Sequence, residues 1–253
     1  MNRLLTLKSD LFPASEKLIY TLKVFGAKGT ASIQVKKGTE GLEIRCHLLA
    51  SLQLPPKKIL DSEVVSKLGF SRGSSGGDQG LVLCLYTDHD YKLESRRTME
   101  LKDHGIETRF MKIEEERGYL EYPSALSTSQ IVDPLSALYL ARDKDFLKSA
   151  KDGTLHLLTK SGVSEVKMRM SGERVTSCPV LGATRDQVLL RFESSSPTVT
   201  KAKAYFENGL EVWIDRQTGV VAEISYPFFG TFGKASVVLT ERLLVPGEAA
   251  ALD

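Results

Sequence analysis

Along most of this chain apolar and polar residues alternate with the two-residue period of a half-buried β-strand. In "LIYTLKVFG" (18–26) Leu18, Tyr20, Leu22 and Val24 share one face, and "GTASIQVKKG" returns with Ala31, Ile33 and Val35, which predicts a hairpin. "GLEIRCHLLASLQL" carries the pattern to the Pro55-Pro56 break. Further strands are expected in "LVLCLYT", "YKLESRRTMELK", "IETRFMKIEEE" and "GYLEY", with Asp103-His104-Gly105 turning between two of them. "TLHLLTK", "SEVKMRMSG", "DQVLLRFES", "TKAKAYFE", "LEVWID" and "KASVVLTERLLV" repeat the theme, and "DRQTG" turns another hairpin. "DSEVVSKLG" predicts a short helix, because Asp61 can cap it, Val64 and Leu68 share a face and Gly69 can end it. "FSRGSSGGDQG" (70–80) is a flexible loop by composition and lacks the Lys and Ser/Thr of a phosphate-binding loop.

One segment breaks the alternation. In "IVDPLSALYLAR" (131–142) an Asp-Pro pair opens a run that is apolar nearly all round. Asp133 can accept hydrogen bonds from the free N–H groups of a first helical turn, and Pro134 sits where its missing N–H costs nothing. Leu135, Ala137, Leu138, Tyr139, Leu140 and Ala141 then leave no polar back, so the helix is expected to be buried. Ser136 lies in the first turn, where it can support the cap. Arg142 closes the helix, where a cation suits the C-terminal dipole; recognition of an anionic head group beside an apolar pocket is the functional alternative.

Asn208-Gly209, between two strand patterns, favours a two-residue hairpin turn. That turn would set Tyr205 opposite Val212 and Ala204 opposite Trp213. Tyr205, Leu210, Val212 and Ile214 would occupy one face and Ala204, Phe206 and Trp213 the other, so the sheet needs cover on both sides. A curved sheet wrapped around the helix meets both needs. The expected fold is mainly β: a large curved antiparallel sheet or incomplete β-barrel enclosing a short apolar helix. Residues 11–245 form a single β-rich domain between an N-terminal tail (1–10) and a C-terminal tail (246–253).

Composition narrows the function more by exclusion than by assignment. Thirty-four basic against 32 acidic residues leave a net charge of +2 with the signs interspersed, so no nucleic-acid footprint is visible. No apolar run is long enough for a membrane span, and "MNRLLTLKSDLFP" has no apolar core of an export leader. Cys46, Cys84 and Cys178 are too scattered for a disulfide framework or zinc site; one bridge plus a spare thiol, or three reduced thiols, both stay open.

The candidate chemistry is thin. In "CLYTDHDYKL", Cys84, Asp88, His89 and Asp90 offer metal-ligand types, but on a strand His89 points away from both aspartates. His47, His104 and His156 are isolated, Ser136 lacks a nucleophile elbow, and the three glutamates of "KIEEERG" read as a solvated strand end. No catalytic, metal or cofactor site is expected. Trp213, Phe228, Phe229 and Phe232 enrich the C-terminal part in aromatics, for the core or for the lining of a hydrophobic groove.

The stretches "FPASEKLIYTLKVFGAKGTASIQV", "VDPLSALYLAR" and "GLEVWIDRQTGVVAEISYPFFGTFGKASVVLTE" together resemble the bacterial domain-of-unknown-function family 3108 over roughly residues 11–241. The resemblance implies an antiparallel β protein of the cell envelope or periplasm and brings no catalytic residues. A cytoplasmic location stays open because no leader is visible. The leading expectation is non-catalytic binding of a lipid or other hydrophobic ligand on the concave face, with Leu135, Leu138, Tyr139, Arg142, Phe206, Trp213, Phe228, Phe229 and Phe232 as its lining. A scaffold with a solid core and no pocket is one alternative. A hydrolase assembled from distant strands is another.

Overall fold

The computed structural model describes residues 7–24, 27–38, 41–53, 56–72, 78–143, 146–147, 153–194, 210–227 and 234–244. The strands are β1 (Ser15–Val24), β2 (Ala27–Lys37), β3 (Leu42–Gln53), β4 (Pro56–Arg72), β5 (Asp78–Asp90), β6 (Ser95–Lys102), β7 (Gly105–Met111) and β8 (Glu115–Glu121). After a short 3-10 turn come β9 (Ile131–Val132) and the helix α1 (Pro134–Leu140). The second half supplies β10 (Gly153–Thr159), β11 (Gly162–Cys178), β12 (Gly182–Ser194), β13 (Leu210–Asp215), β14 (Val221–Pro227) and β15 (Lys234–Leu244).

All fifteen strands belong to one sheet, in the order β8-β7-β6-β5-β4-β3-β2-β1-β15-β14-β13-β12-β11-β10-β9. The first and last strands, β1 and β15, meet in the middle, and in each half strands consecutive in the chain lie side by side outward to the edge. Every pairing is antiparallel except that of β9 with β10. Among the described residues the sheet does not close on itself by backbone hydrogen bonds, yet it curls. Lys160, in the β10–β11 turn, pairs with Asp88 on β5 at 2.5 Å, although these strands stand far apart in the sheet order. This is an incomplete barrel, as the alternation predicts.

Its inner face carries the core. On β2, Ala31, Ile33 and Val35 are buried, and across the ladder they meet Tyr20 and Leu18 on β1 and Leu48, Cys46 and Ile44 on β3. Residues between them point outward, where pairs such as Arg45–Glu63 at 2.9 Å decorate the convex surface.

Some expectations need correction. "DSEVVSKLG" is not a helix but the middle of β4, in which Ser62, Val64, Ser66 and Leu68 point inward and Asp61, Glu63, Val65 and Lys67 outward. Val64 and Leu68 are four residues apart, a spacing that suits both periods. The adjacent Val64-Val65 pair, stiff at χ1, favours the strand. The Asn208-Gly209 turn lies outside the described residues, as do Ala204 and Tyr205. Both edges of β13 are taken: Val212 faces Leu190 and Ile224, and Trp213 faces Leu189 and Glu223. The loop foreseen over 70–80 is also shorter than that, because β4 continues to Arg72 and β5 begins at Asp78.

Candidate functional site: a cavity beside the helix

The helix is held at both ends. Asp133 accepts from Leu135 N at 2.9 Å and Ser136 N at 3.1 Å, as the sequence predicts. Its other oxygen accepts from the Ser136 hydroxyl and, at 2.8 Å, from Ser66 on β4. A buried carboxylate, with no cation beside it among the described residues, is thus satisfied by these four donors and a longer contact from the Cys84 thiol, and ties the helix to the wall. Ser136 is spent on this duty. At the other end Gly219, in the β13–β14 turn, has φ +67, and a Cβ there would stand 2.5 Å from the Ala141 oxygen and the Arg142 Cα. Only glycine fits, so the "DRQTG" turn seats directly on the helix C-terminus.

Arg142 donates to Glu16 at 2.5 Å and stacks over the Tyr139 ring, 4.5 Å from its centroid. Glu16, 0% exposed, also accepts from Arg242 at 2.9 Å. Burial and the Glu16 charge hold the Tyr139 phenol neutral far above its usual range. Arg142 is therefore an internal ion-pair partner and not a reader of ligand head groups.

On the opposite side of the helix lies a cavity of about 680 Å³. The helix contributes Pro134, Ala137, Leu138 and Ala141, one stripe at helical spacing. Leu155, Leu157 and Leu158 of β10, Val212 and Ile214 of β13, and Val221 of β14 form the apolar wall, with Phe146 and Phe192. Tyr86 on β5 closes one side; burial, then Asp133, raises its phenol pKa. The only charged residues among the described lining are Arg97 of β6 and Lys160, beside Thr159 and Ser161. Lys160 and Ser161 are exposed, so this polar end is the mouth.

Of the lining foreseen from sequence, the structure brings Leu138 to the cavity. Leu135 and Tyr139 point into the packed core on the other face of the helix. Trp213 is on the convex face, covered by the Arg174 guanidinium 4.0 Å from its ring. Phe206, Phe228, Phe229 and Phe232 lie outside the described residues. Arg97 and Lys160 were missed, since lone cations in strand ends carry no motif; the alternation of Leu155 with Leu157 and of Val212 with Ile214 already marks the apolar wall.

The metal-ligand types of "CLYTDHDYKL" do not converge. Cys84 is buried inside, Asp88 pairs with Lys160, and His89 stacks on Tyr91 outside; no metal-binding group exists among the described residues. Glu114, Glu115 and Glu116 are exposed at the β7–β8 turn. His156 is half-buried and desolvated, which lowers its pKa. Cys46, Cys84 and Cys178 are free thiols, the first two buried.

No family model matches the chain, and no curated protein matches it. Among solved structures it is similar to the crystal structure of a beta-barrel-like protein of domain of unknown function DUF1849 from Brucella abortus. The TM-score is 0.62 at 11% identity, covering 92% of this chain and 98% of that one. The shared feature is the fold. No helix among the described residues is long and apolar enough to cross a membrane.

Proposed function

We propose that this protein is a binding protein that takes an apolar chain into the cavity beside α1, without catalysing a reaction on it. The supporting observation is the cavity itself. Its volume falls in the range of about 300–1,000 Å³ usual for ligand sites, and its described body is walled by aliphatic and aromatic side chains. Leaving such a volume empty forgoes dispersion contacts on every lining residue, a cost that an apolar occupant removes. A scaffold with a solid interior fits this volume less well. A hydrolase finds little support, because the Ser136 hydroxyl is committed to Asp133. Placement in the bacterial envelope rests on the resemblance to family 3108.

The test is native mass spectrometry of the full chain purified without detergent, followed by titration with dodecanol. The expected result is a retained apolar molecule, or uptake of dodecanol at one site. In Leu138→Trp, whose indole would protrude into the cavity across the path of the chain, uptake should weaken about tenfold or more. A clean protein mass with no dodecanol uptake overturns the reading.

A further inference from the structure

The cavity is asymmetric, and its asymmetry bears on the ligand. Apolar side chains surround the body, while the mouth brings together two cations, Arg97 and Lys160, and the described lining includes no carboxylate. The two cations are not equivalent. The Lys160 ammonium is already matched by Asp88 at 2.5 Å. Arg97 lies over the Phe110 ring at 5.1 Å and donates only one long bond, 3.4 Å, to the Lys160 carbonyl. Among the described residues no carboxylate pairs with it. A half-buried guanidinium has five N–H donors in a planar fork suited to oxyanions; its cross-strand neighbour Asp88 makes its ion pair with Lys160 instead. A methionine or leucine would pack on Phe110 as well, so the ring contact does not explain a cation at this place.

We propose that the cavity selects a single-chain amphiphile with an anionic oxyacid head, a carboxylate or a phosphate monoester. Arg97 grips the head at the mouth while the chain runs inward along Leu138 and Val212. The proposal rests on the cavity reading above and adds the charge of the ligand to it. Arg97 supplies charge-assisted, bidentate bonds that a neutral head cannot match. Lys160 adds a second cation whose field is partly cancelled by Asp88. Thr159 and Ser161, on the same turn, leave the head in contact with water, so its charge is not fully desolvated.

The experiment is equilibrium dialysis of the full chain with four dodecyl compounds below their micellar concentrations: dodecanoate, dodecyl phosphate, dodecanol and dodecyltrimethylammonium. Dodecanoate or dodecyl phosphate should bind about tenfold or more tightly than dodecanol, and the cation most weakly. Whichever anion binds tighter identifies the head. Arg97→Met should bring the ratio of anion to alcohol affinity close to one. Asp88→Asn, which releases Lys160, should strengthen binding of the anions by about threefold, a gain that misfolding cannot imitate. Equal affinity for dodecanoate, dodecyl phosphate and dodecanol, unaltered by Arg97→Met, overturns the head-group assignment and leaves the apolar cavity standing. Failure of all four compounds to bind overturns the cavity reading, and the head-group assignment falls with it.

Discussion

The two faces of α1 are built from the same kinds of residue and do opposite work. One face, Leu135, Ser136, Tyr139 and Leu140, is buried against other side chains, with Phe12 lying 4.9 Å from the Tyr139 ring. The other, Pro134, Ala137, Leu138 and Ala141, looks into the cavity. A helix that is apolar all round had to be covered on all sides, and the sheet does surround it. Hydrophobicity sets where water is excluded, and it does not specify whether protein or something else fills the excluded space.

Large-to-small substitutions should break the symmetry most clearly. Leu140→Ala, on the packed face, removes contacts on every side and should cost about 2–5 kcal/mol. Leu138→Ala removes the same atoms from a side chain that already borders empty volume, and should cost about 1 kcal/mol or less. Urea denaturation of both variants measures the difference. Equal losses would mean that the cavity is closed in solution. The converse is a gain in size: overpacking a tight core costs about 1–3 kcal/mol, whereas Leu138→Trp should leave the unfolding free energy within about 1 kcal/mol of the parent.

Much of this was legible from the residues. Asp133 and Pro134 marked the helix start because capping chemistry is local, and the inward alternation of Leu18 with Tyr20 and of Ile33 with Val35 gave the strands. The failures have two origins, an ambiguous local period and distance along the chain. Val64 and Leu68 misled because four residues serve a helix and a strand equally. The neighbours of β13 are not legible from Asn208-Gly209, because a turn motif cannot know that β12 and β14 take both edges of the strand that follows it. Trp213 is expected in the core or the lining because it belongs to an aromatic-rich stretch; the alternation that sets it opposite Val212 and Ile214, both buried, is the signal that it faces out. Arg97 and Lys160 are 63 residues apart and meet only once the sheet has curled, so no spacing rule would pair them.

The smallest effect concerns the filled side of the interior and is read through pH. Cys46 is 4% exposed, and burial pushes its thiol pKa from an ordinary 9.0 up to about 12. Cys84 is raised by burial first and then by the Asp133 carboxylate, from which its sulfur is 3.9 Å. The folded state thus keeps these protons at a pH where the unfolded chain releases them. A raised folded pKa stabilises fully below the unfolded value and loses that contribution as pH climbs from about 9 toward 12. Between pH 8.5 and 9.5 the loss should stay below about 1 kcal/mol for each thiol. Cys46→Ala should flatten the decline measured by urea denaturation, because alanine has no proton to release. An unchanged slope would place Cys46 in contact with water, and the packed face of the helix would then be no better filled than the hollow one.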